Sequence, residues 1–316
     1  MKKLPFLLMS LLAISLPVQA QAEYEPIHMG GYGFYETLLW SHDSTRLTFP
    51  ISDLVYVEYD LITQTLTENV NPSPDTITFN DEQRAYFHTL DDVAYVAPNG
   101  WQFIYATEFE IPSFIAGGLS NVLAFGEIQP EYAGSYDLLN IEYGFAGYRV
   151  RWSADSSAVV VIVVPPYGNG YYLDYVRPHD GQYIVLSFAT LDFTTLFDIN
   201  ADGTRLLLPT QDLDRGLVLW TLPDVLPTRA GYDADNDTVN LFEDGVAGAA
   251  FEDDEHLLLV SEAGIVRYTL TTQETEAINS DINSTWIRYA QFSPDHRYVA
   301  AASNDAELYV LAVDAE

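Results

Sequence analysis

The chain has 316 residues, with 13 Lys+Arg against 46 Asp+Glu, a formal net charge of −33, 14% aromatic residues and no cysteine. The missing cysteine excludes a disulfide framework, a thiol nucleophile, Cys-based metal sites and a lipidated Cys. The charge excludes non-specific nucleic-acid binding, because phosphate is repelled, and the 48% hydrophobic content marks a globular chain.

Residues 1–20 read MKKLPFLLMSLLAISLPVQA. A basic start at Lys2 and Lys3, an apolar stretch from Leu4 to Val18 and small residues at Ala20 and Ala22 describe a secretory signal. Pro5, Ser10, Ser15 and Pro17 interrupt the stretch, which makes it a poor membrane span. Cleavage is expected after Ala20, with Ala22 the second choice and an uncleaved anchor the alternative. Removal takes both lysines, so 13 basic residues become 11, all Arg, and −33 becomes −35. A lysine-free mature chain cannot form a lysine Schiff base or use a P-loop lysine. The expected location is the periplasm or the medium, with no membrane insertion after cleavage. The acidic surface reads as solvation, as attraction for calcium or a cationic partner, or as exclusion of anionic polymers.

From Trp40 onward one pattern recurs six times: WSHDSTRLTF from Trp40, VAPNGWQFIY from Val96, WSADSSAVVV from Trp152, INADGTRLLL from Ile199, FEDDEHLLLV from Phe251 and FSPDHRYVAA from Phe292. Aligned without gaps, the first column is apolar and reads as the buried end of a strand. The fourth holds Asp43, Asn99, Asp155, Asp202, Asp254 and Asp295, residues that open tight turns by bonding their own backbone. Gly100 and Gly203 follow in two copies, as a positive φ requires. Apolar runs such as Val159–Val164 then predict a strand buried on both faces. Third strands are expected at Leu54–Tyr59, Val122–Phe125, Leu217–Leu222, Gly264–Leu270 and Glu307–Val313.

First-column spacings of 56, 56, 47, 52 and 41 suit about four strands per unit, and almost no segment has helical periodicity with caps. The reading is all-β: one β-propeller over residues 23–316, of six four-stranded blades, or seven if a 56-residue interval conceals a degenerate unit. Too little chain follows Phe292 for a full last blade. Residues around Glu25–Tyr32 are free to supply its outer strand and close the ring.

FSPDHRYVAAASNDAELYVLAVD at 292–314 and INADGTRLLLPTQDLDRGLVLWTLPD at 199–224 resemble the WD-like repeats of secreted bacterial propellers, including TolB-type proteins, whose consensus is W-S-P-D-G followed by an apolar strand. The resemblance implies a propeller and says little of function. Neither the α/β domain that precedes the propeller in TolB nor a peptidase domain after the repeats is expected here.

Four segments could carry chemistry. Glu108, Glu110, Asp174 and Asp192 are candidate channel acids for a hydrolase or lyase, with nothing in the sequence to choose among them. PPYGNGYYLDYVRPHDGQY at 165–183 sets Tyr167, Tyr171, Tyr172 and Tyr175 beside Arg177, a composition suited to recognising peptides or sugars from Gly-rich loops. Asp198, Asn200, Asp202 and Gly203 look like a cation loop but coincide with the repeated turn. In 229–245, Asp233, Asp235, Asp237 and Asp244 offer alternating carboxylates to Ca2+; Thr238 and Asp244 replace the Gly and Glu that an EF-hand loop requires. No HExxH pair and no GxSxG elbow occurs. The chain therefore reads as a monomeric, non-enzymatic binding or scaffold module that needs no cofactor and presents one disk face to a protein, peptide or glycan. A channel-acid hydrolase and a calcium-stabilised structural module are the alternatives. A funnel lined by aromatic and apolar groups favours binding, and one with paired acids favours catalysis.

Overall fold

A computed structural model describes residues 27–28, 38–52, 55–68, 70, 74–87, 89–111, 118–129, 132–139, 147–164, 172–178, 182–187, 197–209, 216–224, 238–242 and 245–314. These residues form six antiparallel sheets, the blades of a six-bladed propeller. Blade one contains β2 (Leu39–Trp40), β3 (Arg46–Ser52), β4 (Val55–Asp60) and β5 (Thr65–Glu68). Blade three contains β11 (Gly147–Trp152), β12 (Val159–Val164), β13 (Tyr172–Arg177) and β14 (Gln182–Ser187). Blade four contains β15 (Asp198–Ile199), β16 (Arg205–Pro209), β17 (Leu217–Thr221) and β18 (Thr238–Phe242). Blade five contains β19 (Gly248–Phe251), β20 (His256–Ser261), β21 (Gly264–Thr269) and β22 (Thr275–Asn279).

Blade six takes β23 (Ile287–Phe292), β24 (Tyr298–Ser303) and β25 (Glu307–Ala312) from the end of the chain, and β1 (Ile27–His28) from its beginning. Ile27 lies opposite Leu308 and His28 opposite Glu307. The ring thus closes by the expected exchange, which pairs an edge that would otherwise stand open.

Blade two departs from the pattern. Beside β7 (Thr89–Val96), β8 (Gln102–Ile111), β9 (Gly118–Gln129) and β10 (Tyr132–Leu139), it carries a fifth strand, β6 (Thr76–Thr78), on the free edge of β7. A seven-residue helix, α1 (Asp81–Phe87), joins β6 to β7. Among the described residues the two 56-residue intervals hold no seventh blade. One holds β6 and α1; the other holds the long β8 and β9, of 10 and 12 residues.

The second strand of each repeat is buried because both of its faces are covered by neighbours. Leu257 and Leu259 join one core cluster, while Leu258 and Val260 join another that also takes Val299 and Ala301 from blade six. Each such Leu or Val side chain contributes about 1.5–3 kcal/mol by leaving water. Inner strands approach closely where small residues allow it. Ala290 N donates to Ala247 O at 2.8 Å between blades six and five, and a Cβ on Gly248 would come within 2.3 Å of Ala290 O.

Candidate functional site

All six first-column residues end the first main strand of their blades: Trp40, Val96, Trp152, Ile199, Phe251 and Phe292 close β2, β7, β11, β15, β19 and β23. All six also line a single cavity of about 670 Å³ at the axis. Apart from the partly exposed Val96 they are buried, and they form an aromatic and apolar floor with Tyr95 and Val150. Gln291 closes the funnel behind them. Its main-chain oxygen accepts Trp40 Nε1 at 2.9 Å, and its side-chain amide donates to Phe197 O of blade four at 3.1 Å. A side chain from blade six that bonds to blade four spans the axial region. Tyr289 Oη donates to Gln291 Oε1 at 2.8 Å and its ring stacks on Phe197 at 6.4 Å, which fixes this floor. The indole N–H of Trp152, by contrast, finds no partner among the described residues.

The rim is built from the repeated turns. In blades one, three and six a serine hydroxyl donates to the turn aspartate: Ser41 to Asp43 at 2.6 Å, Ser153 to Asp155 and Ser293 to Asp295 at 2.7 Å. The same oxygen accepts a backbone N–H two residues on, from Thr45, Ser157 and Arg297. In blade four Asn200 replaces the serine and Asp202 accepts Thr204 N–H. These bonds, with that of the Ser41 hydroxyl foremost, hold the Asp43 carboxyl down to about 2. Burial acts in the opposite sense on Asp202 and Asp295, yet their combined hydrogen bonds still lower both.

Blade five differs by one residue. Trp40, Val96, Trp152, Ile199 and Phe292 each face the residue seven positions later, whereas Phe251 faces Leu257, six positions later. The alignment therefore needs a gap there. Asp253, not Asp254, caps the turn, accepting Glu255 N at 2.7 Å and His256 N at 2.8 Å. Asp254 is released to pair with Arg205 of blade four.

Asp75 and Asp198 carry the rest of the rim chemistry. Asp198 ends the inner edge of blade four as part of β15, not of the turn where the sequence pattern places it. One oxygen accepts Arg151 of blade three at 2.7 Å and the other accepts Phe251 N of blade five at 2.9 Å, so one carboxylate ties three blades together. Asp75, just before β6, accepts His42 N at 2.7 Å and lies 3.5 Å from both His42 Nε2 and Arg46 of blade one. Burial pushes its carboxyl up against the pull of His42 and Arg46.

The other sequence candidates do not converge on this funnel among the described residues. Tyr175 lies inside β13, fully buried, not on a Gly-rich loop. Its hydroxyl donates to Gly203 O at 2.6 Å and accepts Arg177 Nε at 3.0 Å, while Arg177 also donates to Asp224 O at 2.7 Å. Both residues fasten blade three to blade four. Tyr172 opens the same strand opposite Val163 and Ser187. Tyr167 and Tyr171 lie outside the described residues, as do Asp192 and the calcium candidates Asp233, Asp235, Asp237 and Asp244. Glu108 and Glu110 sit along β8, and Asp174 is buried in β13. Among the described residues, no group of three or more His, Asp or Glu is placed to hold a metal ion.

Sequence reasoning missed Asp75 and the blade-two insert, and it placed Asp198 in a turn where the structure makes it part of β15. The insert had a signal: Asn80 precedes Asp81 and Glu82, an N-cap followed by acids in the first helical turn.

No protein-family model matches the chain, and no curated protein matches it. Among solved structures it is similar to a chain of the Mitotic Checkpoint Complex, at 11% identity and a TM-score of 0.49, over 100% of this chain and 99% of that one. Kuenenia stuttgartiensis hydrazine synthase is similar at 14% identity and a TM-score of 0.45, over 93% and 99%. The β-propeller domain of Myceliophteria thermophila Cps50 (Swd1) is similar at 11% identity and 0.45, over 92% and 99%. The class defined by this chain's own sheets and registers is a six-bladed β-propeller with a funnel open on its turn face.

Proposed function

We propose that the protein is a non-enzymatic binding module, exported by its N-terminal signal, that receives a peptide segment of a partner protein in the axial funnel of its turn face. The observation that carries this reading is the convergence of one apolar residue from every blade on one cavity of about 670 Å³. Cavities of this size with an apolar floor and a few placed polar groups are the usual form of a ligand site. The rim acids support binding over catalysis, because they are already engaged in structure. Asp198 is held by Arg151 and Phe251 N, Glu252 by Arg267, and Asp295 by Ser293 and Arg297. Glycoside hydrolysis by the usual pair needs two carboxyl groups at a defined separation, one holding a proton. Asp75 is the lining carboxyl with a clearly raised value, and it is bonded to blade one.

The test is capture of the partner by the exported mature protein, followed by competition. Trp152→Ala, at the funnel floor, is expected to abolish capture while Ile62→Ala, on the exposed outer edge of blade one, leaves it intact. Equal capture by both variants would move the site away from the funnel.

A further inference from the structure

The funnel is graded from floor to mouth. Trp40, Trp152, Phe251 and Phe292 are buried at the floor, while Asp253, Asp254 and Asp295 stand at the mouth, with side-chain exposures of 56%, 88% and 30%. Among the described residues six carboxylates line it, those of Asp75, Asp198, Glu252, Asp253, Asp254 and Asp295, against the one guanidinium of Arg151. Further arginines brace the rim from outside. Arg46 lies between Glu58 and Asp75, Arg267 lies between Glu252 and Glu276, Arg205 pairs with Asp254, and Arg297 pairs with Asp295, so that with Glu58 and Glu276 eight carboxylates face five guanidinium groups. Negative charge is therefore left over at the mouth, on a chain that is itself at −33.

Resting on the reading of the funnel as the binding site, we infer that it selects a peptide segment in which one large apolar side chain is flanked by Lys or Arg. The apolar group descends onto the Trp and Phe floor, and its cationic neighbours stay at the level of Asp253, Asp254 and Asp295. Three effects favour this arrangement. The floor removes apolar surface from water. The faces of its aromatic rings carry negative potential that suits a nearby cation and repels an anion. The mouth carboxylates are exposed enough to meet a cation without stripping it of water, so the charged flanks add selectivity and encounter rate without a burial penalty. An acid-flanked segment gains the same apolar burial but meets repulsion from the ring faces and from the mouth carboxylates.

The experiment titrates the mature protein with three blocked tripeptides, acetyl-Lys-Phe-Lys-amide, acetyl-Ser-Phe-Ser-amide and acetyl-Glu-Phe-Glu-amide, and with phenethylammonium, following tryptophan fluorescence at low and high salt. The Lys-flanked peptide is expected to bind about tenfold or more tighter than the Ser-flanked one, with no binding of the Glu-flanked one and a gap that shrinks in salt. Asp253→Asn and Asp254→Asn together should reduce the Lys preference about tenfold, the weight of two exposed ion pairs, without weakening the Ser-flanked peptide. That unchanged Ser arm distinguishes loss of charge from loss of fold. Equal binding of the Lys- and Ser-flanked peptides overturns the cation inference and leaves the funnel as the site. Binding of phenethylammonium as tight as that of the Lys-flanked peptide overturns the peptide as its source. Failure of all four probes overturns this inference and the funnel reading together.

Discussion

Ser44 and Gly203 hold the same place in the turns of blades one and four, with nearly the same backbone, φ 60° and 71°. The neighbouring blade decides the residue. At the seam between blades six and one, Asp295 N–H needs an acceptor, and Ser44 Oγ accepts it at 3.0 Å. Ser156 does the same for Asn99 N–H at 3.1 Å between blades two and three. Beside blade four there is no room for a side chain: a Cβ on Gly203 would lie 2.4 Å from Ala158 Cβ. A left-handed turn residue is thus chosen twice, once for its dihedral angle and once for the seam.

That comparison can be broken by substitution, and the largest effect is expected at Gly203. Gly203→Ala adds a left-handed penalty of about 1–2 kcal/mol to a steric one of about 1–3 kcal/mol, read as a drop in the urea midpoint. At the serine seams, Ser44→Ala and Ser156→Ala strand a backbone N–H and should each cost about 1–2 kcal/mol. Ser44→Gly strands the same N–H but relieves the dihedral, so it should cost less than Ser44→Ala. A Gly variant less stable than the Ala variant would contradict the account of both seams.

The funnel floor offers a smaller contrast. Trp40→Phe removes the donor to Gln291 O and should destabilise by about 1 kcal/mol more than Trp152→Phe, because the Trp152 N–H has no partner among the described residues to lose. Thermal melts of the two variants settle the order.

Two rim acids should respond oppositely to acid, with the smallest effects of the set. Asp43, lowered to about 2, contributes stability that is complete above its ordinary 3.8 and lost as pH falls through about 2. Asp75 is raised, so its ionised form is disfavoured in the folded chain and stability is gained as pH falls through its raised value. Asp43→Asn should therefore flatten the acid loss, and Asp75→Asn should remove the gain. Urea midpoints measured from about pH 7 down to about pH 2 would refute the assignment if both variants moved the profile in the same direction.

Much of this architecture was legible before the structure because each signal is local. An apolar strand end, a carboxylate two residues after a serine and a run of Val or Leu each act within ten residues, and six copies of that set give blade number and ring closure. The shorter turn of blade five was hidden because Asp253 and Asp254 are adjacent, and either can fill the column. The rim chemistry was not legible for a different reason. Asp198 acquires its role from Arg151, 47 positions earlier, and Phe251, 53 positions later, and Asp75 from His42, 33 positions earlier. Tyr175 misled because glycines and tyrosines precede it, yet Leu173 to Val176 pair with Ile162 to Val159 as an ordinary central sheet segment.

The five tryptophans make the most direct test of the central claim that the turn-face funnel is where this propeller binds. Trp40 and Trp152 lie at its floor and Trp101 on the tip of a turn, whereas Trp220 sits in β17 and Trp286 packs on Tyr309. Indole N–H resonances recorded while the Lys-flanked tripeptide is added should shift for Trp40 and Trp152 and stay fixed for Trp220 and Trp286. Shifts confined to Trp220 or Trp286, with the two floor signals unmoved at saturation, would contradict it.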